Sequence, residues 1–405
     1  MKRHAVLLLL LLCAGSLHGQ PASLPALIEE ALRAHPALEA AAGRVRAEEG
    51  RTLQAWSPSS PELYVHEEEI PTAGSFGDGG MRYYGLSQEF DVPLLTGSRA
   101  TVQGRFAAAA RARAEAVRLA VRAEVIAAWG AFYAAEHRLS MLREASALAQ
   151  EFAQKAQRRT EAGEGTRLEV LRATASAASA AAAESRGQRD RALALARLSS
   201  AVGRPVDALL APGVALDPPA RVEFAAVPLD AHPLLREARA EFDGYDGDRA
   251  RGWMEYLPGF TAGVFRQEIP SMGMFWGAEL TARVPLWFML GERGRGEERA
   301  GLAMESKARL RALELELRAR VVSAEAGVRS AEATVAAYSN GILREAEEAM
   351  RAAKLGYEAG EVSYIEFIEA QRGALEIMLG YHDALAEGYA AVAEYELATG
   401  MEVVK

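Results

Sequence analysis

The stretch EAGEVSYIEFIEA at Glu358–Ala370 has a close copy, EAGEGTRLEVLRA at Glu161–Ala173, which lies 197 residues earlier in the chain. Both copies open with Glu-Ala-Gly-Glu. Glycine reaches the left-handed backbone conformation that ends many helices, so Gly163 and Gly360 are each predicted to stop a helix. The repeated motif therefore indicates two helical hairpins, with turns at equivalent places in the two halves of the chain.

The residues after each glycine predict the start of a returning helix. Thr166 and Ser363 carry hydroxyl groups that suit an N-cap. Glu169 and Glu366 follow three residues later, which is the spacing of a capping box. Each motif thus reads as one helix ending and another beginning.

The composition of the 405-residue chain favours packed helices. Half of the residues are hydrophobic but only 7% are aromatic, so much of the apolar content is alanine and leucine. The formal net charge of −9 argues against a nucleic-acid partner, because phosphate binding needs a basic surface.

The first 19 residues have the pattern of a secretory signal peptide, with Lys2 and Arg3 before a short apolar run and a cleavage site before Gln20. The only cysteine, Cys13, lies within it, so neither a disulfide framework nor a thiolate metal site is expected. Lipidation of Cys13 is a less favoured alternative, because Leu12 suits a lipid-attachment motif poorly.

Other features repeat at the same offset as the hairpin turns. The triplet AHP occurs at 34–36 and 231–233, and Trp56 and Trp253 are also 197 residues apart. Each copy reads as a first helix (about 24–57 in the first copy), two strands, a very long helix, a turn and a long helix. We therefore divide the chain into a signal peptide at 1–19, a first repeat at 20–215 and a second repeat at 216–405.

The strands are predicted from a change of period to two, at about 60–70 and 81–93 in the first repeat and about 258–270 and 273–286 in the second. In each repeat one parity is apolar and the other polar. The apolar set contains Tyr84, Leu86, Phe90, Val92, Trp276, Ala278, Leu280, Ala282 and Val284. The polar set contains Ser87, Glu89, Asp91, Glu279, Thr281 and Arg283.

Helical hairpins are predicted at about 97–201 and 292–399. After the triplets GSR and GER, apolar residues recur every three or four positions for roughly 60 residues, as in a coiled coil. Such a helix would be on the order of 90 Å long.

No later segment has 18 consecutive apolar residues, so a membrane-spanning helix is not expected. If this exported chain crosses a membrane, strands must do so. Four strands cannot close a barrel, and open edges cannot lie in lipid, so several chains would have to share one barrel. The polar strand face would then line a water-filled lumen.

The chain resembles the TolC-type outer-membrane efflux proteins, and looks closest to the heavy-metal branch of CzcC- and CusC-like members. The residues that carry the likeness are LIEEALRAHPALEAA from Leu27, AHPLLREARAE from Ala231, VPLLTGSR from Val92, VPLWFMLGER from Val284, AQRGALE from Ala370 and the two opening motifs. The likeness covers essentially the whole chain after the signal peptide, and it rests on the order, duplication and spacing of these motifs.

The resemblance implies a mainly α fold with a membrane β-barrel portion. Three chains would form a homotrimer, with a 12-stranded barrel in the outer membrane and a coiled-coil tunnel in the periplasm. A periplasmic adaptor and an inner-membrane pump would complete the machine, and outer-membrane lipid would surround the barrel. No cofactor is implied.

The same resemblance assigns roles at the hairpin tips. It implies that Glu366 and Glu369, three positions apart on one helix, form two rings of carboxylates that constrict the tunnel. The alternative is that Glu366 only caps its helix. The residues implied to contact the adaptor are Gly163, Glu164, Gly165, Thr166, Gly360, Glu361, Val362 and Ser363, with a plain solvated turn as the alternative.

Gate closure in the family often uses a tyrosine and an arginine that bind the neighbouring hairpin. Tyr357 matches the tyrosine, whereas the arginine position holds Val362. Glu169 matches the acidic acceptor, and Arg167 and Arg172 lie near it. A differently arranged link among these residues is therefore expected.

No motif for catalysis is present, and we expect neither enzymatic activity nor a metal site. His35 and His232 precede prolines at matching places, which indicates a repeated structural turn. His66 lies beside Glu67 and Glu68, where a solvated strand is favoured over a cation-binding cluster.

The leading hypothesis is a passive exit duct for small toxic solutes, with heavy-metal cations as the candidate cargo. A drug or type I protein export duct of the same fold is one alternative. A periplasmic adaptor or coiled-coil scaffold is another, from a different class, although an adaptor should contain one hairpin flanked by β domains.

Overall fold

The computed structural model describes residues 23–70, 80–90, 93–206, 219, 221–224, 228–270, 272–284 and 289–404. The predicted signal peptide at 1–19 lies outside these residues, as do Asp91, Val92 and the boundary predicted between the repeats.

The described chain is mainly helical, with four strands. The first repeat contains α1 (Leu24–Ala34), α2 (Pro36–Trp56), β1 (Glu62–Glu68), β2 (Met81–Phe90), α3 (Pro93–Glu161) and α4 (Arg167–Val202). The second contains α5 (Pro233–Arg251), β3 (Gly259–Ile269), β4 (Gly273–Arg283), α6 (Gly291–Ala337), α7 (Leu343–Ala359) and α8 (Tyr364–Thr399).

The first helix predicted from the sequence is two helices, because His35 interrupts it. His35 is extended (φ −68°, ψ 128°), the conformation that a residue before proline favours. Its Nδ1 accepts a hydrogen bond from the Ala37 backbone N–H at 3.1 Å. His232 does the same for Leu234 at 3.2 Å. Both histidines thus build the repeated structural turn that the sequence predicts.

The long helices of the two repeats also differ. Helix α3 is continuous over 69 residues. Its counterpart is interrupted between α6 and α7 by a π-helical turn at Tyr338–Ile342, whereas the sequence pattern predicts one continuous helix. The physical reason is Gly341, whose φ of 149° lies outside the helical region.

The four strands form one antiparallel sheet in the order β1-β2-β3-β4. Its centre joins the two repeats, with Leu86 of β2 opposite Val264 of β3. Leu63 and Ala278 continue that row in the outer strands. The register puts the predicted apolar parity of both repeats on one face, and that face is exposed: Leu63 is 83% and Leu280 74% accessible.

The chain forms two compact units, and each takes segments from both repeats. The described residues within Met1–Leu38, Arg118–Val227 and Arg320–Lys405 form the helical unit. Those within Glu39–Val117 and Pro228–Ala319 form the sheet unit. In the part of the chain that the structure describes, no helix combines the length and apolarity needed to cross a membrane.

In the helical unit, a buried ion pair joins α3 to the last turns of α8. Arg122 Nε donates to Glu396 Oε2 at 2.7 Å, and both side chains are almost fully buried. The other oxygen of Glu396 accepts the backbone N–H groups of Val403 and Val404 at 2.6 and 2.7 Å. Because these donors compensate the buried carboxylate, the C-terminal segment is held against α3 and α8.

Candidate functional site

The two hairpin tips share one turn geometry. Gly163 and Gly360 are left-handed, with φ of 81° and 79°. In the first tip the N–H of Gly163 donates to the Thr160 carbonyl at 3.1 Å, and that of Glu164 to the Arg159 carbonyl at 2.8 Å. Both bonds recur 197 residues later at 3.1 and 2.8 Å. The predicted helix stops are confirmed in both repeats.

The two return helices begin with the predicted capping boxes. Thr166 Oγ1 accepts the N–H of Glu169 at 3.2 Å, and the Glu169 carboxylate accepts the N–H of Thr166 at 3.2 Å. Ser363 and Glu366 make the same pair of bonds at 3.3 and 2.8 Å. Two N–H groups that the helix itself cannot use are thereby satisfied at each tip.

Both tips contain the same close contact between two positions, and one of the two is a glycine. The glycine is the first of these positions in one tip and the second in the other. In the second tip, a Cβ at Gly356 would lie 2.6 Å from Cγ2 of Val362, which is too close. The equivalent residues of the first tip are Arg159 and Gly165. A Cβ at Gly165 would lie 2.8 Å from Thr160 Oγ1 and 3.3 Å from the Arg159 backbone. Each tip therefore leaves one of the two contacting positions without a side chain.

The predicted constriction residues lie in the first two turns of α8. Glu366 and Glu369 are both exposed. Hydrogen bonds from the backbone N–H and side chain of Ser363 lower the pKa of Glu366 below its usual range, so this carboxylate is ionised at neutral pH. Arg172 occupies the place of Glu369 in the first repeat and is also exposed.

Tyr357, the predicted gate residue, packs among aromatic rings, which we call the tip aromatic cluster. Its ring centroid lies 5.1 Å from that of Phe152 on α3, 5.5 Å from Phe367 and 6.1 Å from Tyr364. Phe152 and Phe367 are 4.7 Å apart. The cluster joins α3 to the α7–α8 hairpin.

The other predicted tip residues are mostly solvent-exposed. Arg167, Glu169 and Arg172 are exposed along α4. Gly165 and Val362 are half-buried, whereas the remaining tip residues are exposed: Gly163, Glu164, Thr166, Gly360, Glu361 and Ser363. The tips thus present polar backbone and side-chain groups to solvent.

Aromatic rings on the polar face of the sheet lie over glycines. Tyr64 covers Gly85, where an added Cβ would lie 2.1 Å from the ring, and its hydroxyl donates to Glu279 at 3.1 Å. Phe265 covers Gly277 in the same way, at 2.3 Å. Glycine here makes room for a ring that crosses to the neighbouring strand.

His66 and its acidic neighbours do not converge on one point. His66 Nε2 lies 3.4 Å from Glu68 Oε1, on the polar face. Glu67 points to the opposite face, where its carboxylate accepts from Arg82 Nε at 3.0 Å. Among the described residues, no group of three or more His, Cys, Asp or Glu side chains could hold a metal ion.

Some packing residues near the tip and in the mid-hairpin region escape sequence reasoning. Phe152 joins the tip aromatic cluster although it lies more than 200 residues from Tyr357. His137 of α3 and His382 of α8 stack at 4.5 Å between ring centroids, with planes 8° apart. The sequence places Phe152, His137 and His382 each on an apolar face of its helix, but this pattern does not identify the residue that packs against it.

The comparisons with known proteins agree with this geometry. A family model described as outer membrane efflux protein matches residues 27–204, almost the whole described first repeat. The cobalt-zinc-cadmium resistance protein CzcC of Cupriavidus metallidurans is 25% identical over 400 residues, covering 92% of this chain and 88% of CzcC. The chain belongs to the outer membrane efflux protein family.

Two further likenesses are consistent with membership of the outer membrane efflux protein family. The nickel-cobalt-cadmium resistance protein NccC of Alcaligenes xylosoxydans is 30% identical over 292 residues, 69% of this chain and 64% of NccC, so the match spans less than two thirds of that relative. The outer membrane protein VceC of Vibrio cholerae shares the fold, with a TM-score of 0.75, 18% identity, and coverage of 93% of this chain and 96% of VceC.

Family membership decides between the classes that the sequence leaves open. The family is that of outer-membrane efflux proteins, and the fold is shared with the outer membrane protein VceC. The predicted fold class, family and location are confirmed. The adaptor or scaffold alternative is set aside, because two hairpins and a four-stranded sheet occur in one chain.

Proposed function

We propose that three copies of this chain form a passive exit duct from the periplasm to the exterior. The observation that carries the proposal is the four-stranded sheet, whose apolar face is exposed. Within the described residues, the outer edges of β1 and β4 pair with no further strand. Lipid does not tolerate open edges, so neighbouring copies must pair them. Three such sheets supply 12 strands, an even number within the range of outer-membrane barrels.

In this trimer the polar face of the sheet lines the passage. Glu89, Glu279 and Thr281 lie on that face, and Arg283 donates to Glu89 at 2.9 Å. Acidic side chains outnumber basic ones there, which favours passage of cations over anions. The apolar face, with Leu63 and Leu280, meets lipid.

Glu366 and Glu369 form the acidic constriction in this proposal. Both carboxylates are exposed near the start of α8, and three copies would place six of them around the tunnel. Glu366 also caps its helix, and the two roles are compatible because the capped carboxylate keeps its charge. Arg172 at the equivalent of Glu369 implies that the first repeat serves as the neighbour of the constriction.

The gate is arranged around Tyr357 without the family arginine. Tyr357 packs in the tip aromatic cluster, which ties its hairpin to α3. We assign Glu169, Arg167 and Arg172 as the facing residues of the neighbouring hairpin, because they are exposed on the matching helix of the other repeat.

The partners that follow are a periplasmic adaptor and an inner-membrane pump. The exposed residues Leu168, Leu171 and Ile365 lie just beyond the tips and offer apolar contacts to the helices of an adaptor. Neither a nucleic acid, nor a cofactor, nor a catalytic step forms part of the proposal.

Heavy-metal cations are the proposed cargo. The support is that NccC and CzcC are named for resistance to nickel, cobalt, cadmium and zinc, and that the proposed passage carries carboxylates. A drug or protein export duct would have the same fold.

The test is complementation of a bacterial strain that lacks its own metal-efflux channel but keeps the pump and adaptor. We expect the chain to restore tolerance to cobalt, nickel, zinc or cadmium salts, to fractionate with the outer membrane, and to crosslink as a trimer. Restored tolerance to drugs alone would overturn the cargo, and a monomer in the soluble periplasmic fraction would overturn the duct.

A further inference from the structure

A cavity in the helical unit collects sulfur and nitrogen donors. It lies between α3, α7 and α8 and has a volume of about 330 Å³. His137 and Met141 line it from α3, Met350 from α7, and Met378 from α8. All four side chains are half-buried, so they are neither fully packed away nor fully solvated.

These residue types are scarce in the rest of the helical unit. Its described part contains four methionines, Met141, Met350, Met378 and Met401, and three of them line this one cavity. It contains three histidines, of which His137 lines the cavity and His382 stacks on His137. The donors come from three helices and from positions more than 200 residues apart, so no local repeat brings them together.

The cavity is open to solvent on the α3 side. His137, Met141 and Glu144 follow one another at steps of four and three residues, which places them on one face of the helix. Ser140 and Glu144 also line the cavity and are exposed. A small ion therefore has a route to the thioether groups that does not require the helices to separate.

The histidine stack lies beside the cavity. The ring of His382 packs on that of His137, with 4.5 Å between the ring centroids. The Nδ1 atom of His382 is buried and has no hydrogen-bond partner among the described residues. Asp383 binds Arg138, so the ion pair and the ring stack together hold α8 against α3 at this level.

Thioether and imidazole donors select a particular class of ion. Methionine sulfur is a soft ligand that favours copper(I), whereas carboxylate and water ligands suit hard cations. We propose that this cavity binds one soft monovalent cation, of the chemistry of copper(I) or silver(I), through Met141, Met350 and Met378 with His137 as the nitrogen ligand. The site goes beyond the proposed duct, because binding is a property of the cavity whether or not the duct carries that ion.

The competing explanation is that three flexible methionines only fill an irregular gap between helices. Leucine separates the two explanations, because it keeps nearly the same volume and removes the sulfur. Met401 offers a matched control. It belongs to the same unit and packs against a different apolar cluster, around Tyr395 and Val392.

In the experiment, silver(I) is titrated into the purified trimer in detergent, in chloride-free buffer. Calorimetry measures the binding. We expect about one silver ion per chain, and at least tenfold weaker binding by the Met141→Leu, Met350→Leu, Met378→Leu triple variant. Met401→Leu should bind as the unchanged protein does. X-ray absorption of the silver complex should show sulfur neighbours, and these should be lost in the triple variant.

Two results would overturn the proposal. One is that the triple variant binds silver as tightly as the unchanged protein does, which would show that the cavity does not bind silver. The other is equal weakening by Met401→Leu, which would mean dispersed surface binding. If the triple variant does not fold into trimers, the single variant Met378→Leu gives the same decision, since loss of one of three thioethers should still weaken silver binding.

Discussion

At the residue scale, Gly356 and Val362 are in close contact at the second hairpin tip. The first tip makes the equivalent contact, but there the glycine is the second of the two residues. Arg159 and Gly165 occupy those places 197 residues earlier. The turn brings the two positions so close that a Cβ at Gly356 would lie 2.6 Å from Val362 Cγ2. The turn that the two tips share therefore has room for a side chain at one of these two positions, but side chains at both would clash.

We predict that Gly356→Ala destabilises the second tip. Alanine gains about 0.5–1 kcal/mol over glycine within a helix, but overpacking costs about 1–3 kcal/mol, so the net effect should be destabilising. Adding Val362→Gly should remove the clash and restore much of the loss. Unfolding of the purified protein in detergent measures both.

Gly373 is the control for this substitution. It lies within α8, and nothing is within 4 Å of an added Cβ there. Gly373→Ala should be neutral or slightly stabilising. Equal losses for Gly356→Ala with and without Val362→Gly would show that the close contact is not the cause.

Charge and capping can be separated at Glu366 and Glu369. We predict that the double substitution Glu366→Gln, Glu369→Gln lowers the preference for cations in planar-bilayer conductance. Glutamine can replace glutamate in a capping box, so the helix start should survive while the charge is lost.

The matched control is Glu169→Gln, which changes a carboxylate with the same capping geometry in the first repeat. It should alter ion selectivity less than the double substitution. Unchanged selectivity in the double variant would count against the carboxylate rings.

At the element scale, the two hairpins differ in their outgoing helices. Helix α3 runs without interruption, whereas the π-helical turn at Tyr338–Ile342 separates α6 from α7. Opposite this turn, a Cβ at Gly380 of α8 would lie 2.4 Å from the Tyr338 hydroxyl. The glycine thus lets the tyrosine approach α8 closely where its own helix is irregular.

The stack of His137 on His382 gives the α3–α8 contact a dependence on pH. Burial lowers the pKa of His382 from its usual 6.5 to about 4 in the folded protein. Between these two pH values, the unfolded chain therefore binds more protons than the folded protein does. The contribution of His382 to stability is therefore complete above about pH 6.5 and is lost as the pH falls towards 4.

We predict that His382→Phe flattens this part of the pH dependence. Phenylalanine keeps a ring on His137 but does not titrate. Between pH 7 and pH 4, the unchanged protein should lose about 1–3 kcal/mol more stability than the variant, a range that allows for partial solvent screening. The measurement is chemical unfolding at several pH values, and parallel curves for both proteins would contradict the assignment.

At the scale of the whole molecule, the sheet face decides how the chain meets the membrane. We predict that Leu280→Arg strongly reduces assembly in the outer membrane, because arginine on a lipid-facing strand position costs about 2–4 kcal/mol near the bilayer midplane. The neighbouring substitution Thr281→Arg should be tolerated, since that residue lies on the polar face.

Both residues lie in β4 and change to the same side chain, so the pair isolates the direction in which the side chain points. Outer-membrane fractionation of the two variants gives the answer. Equal assembly of both, or a greater loss for Thr281→Arg, would reverse the assignment of the faces.

The repeats and the compact units divide the same chain in different ways. Sequence duplication separates 20–215 from 216–405, and this division remains a prediction about the origin of the chain. Packing instead assembles a helical unit and a sheet unit, each from both halves. The sheet shows why, because its central pair joins β2 to β3 across the two repeats.

The sequence by itself determined the features that arise from neighbouring residues. The left-handed Gly163 and Gly360, the capping boxes and the alternating strand faces all depend on local backbone geometry, so their residue patterns were sufficient to predict them. Only the tertiary structure decided which distant residues meet. The tip aromatic cluster, the His137–His382 stack and the cavity with three methionines bring together helices from both repeats, and such contacts follow from packing, which leaves no periodic signal in the chain.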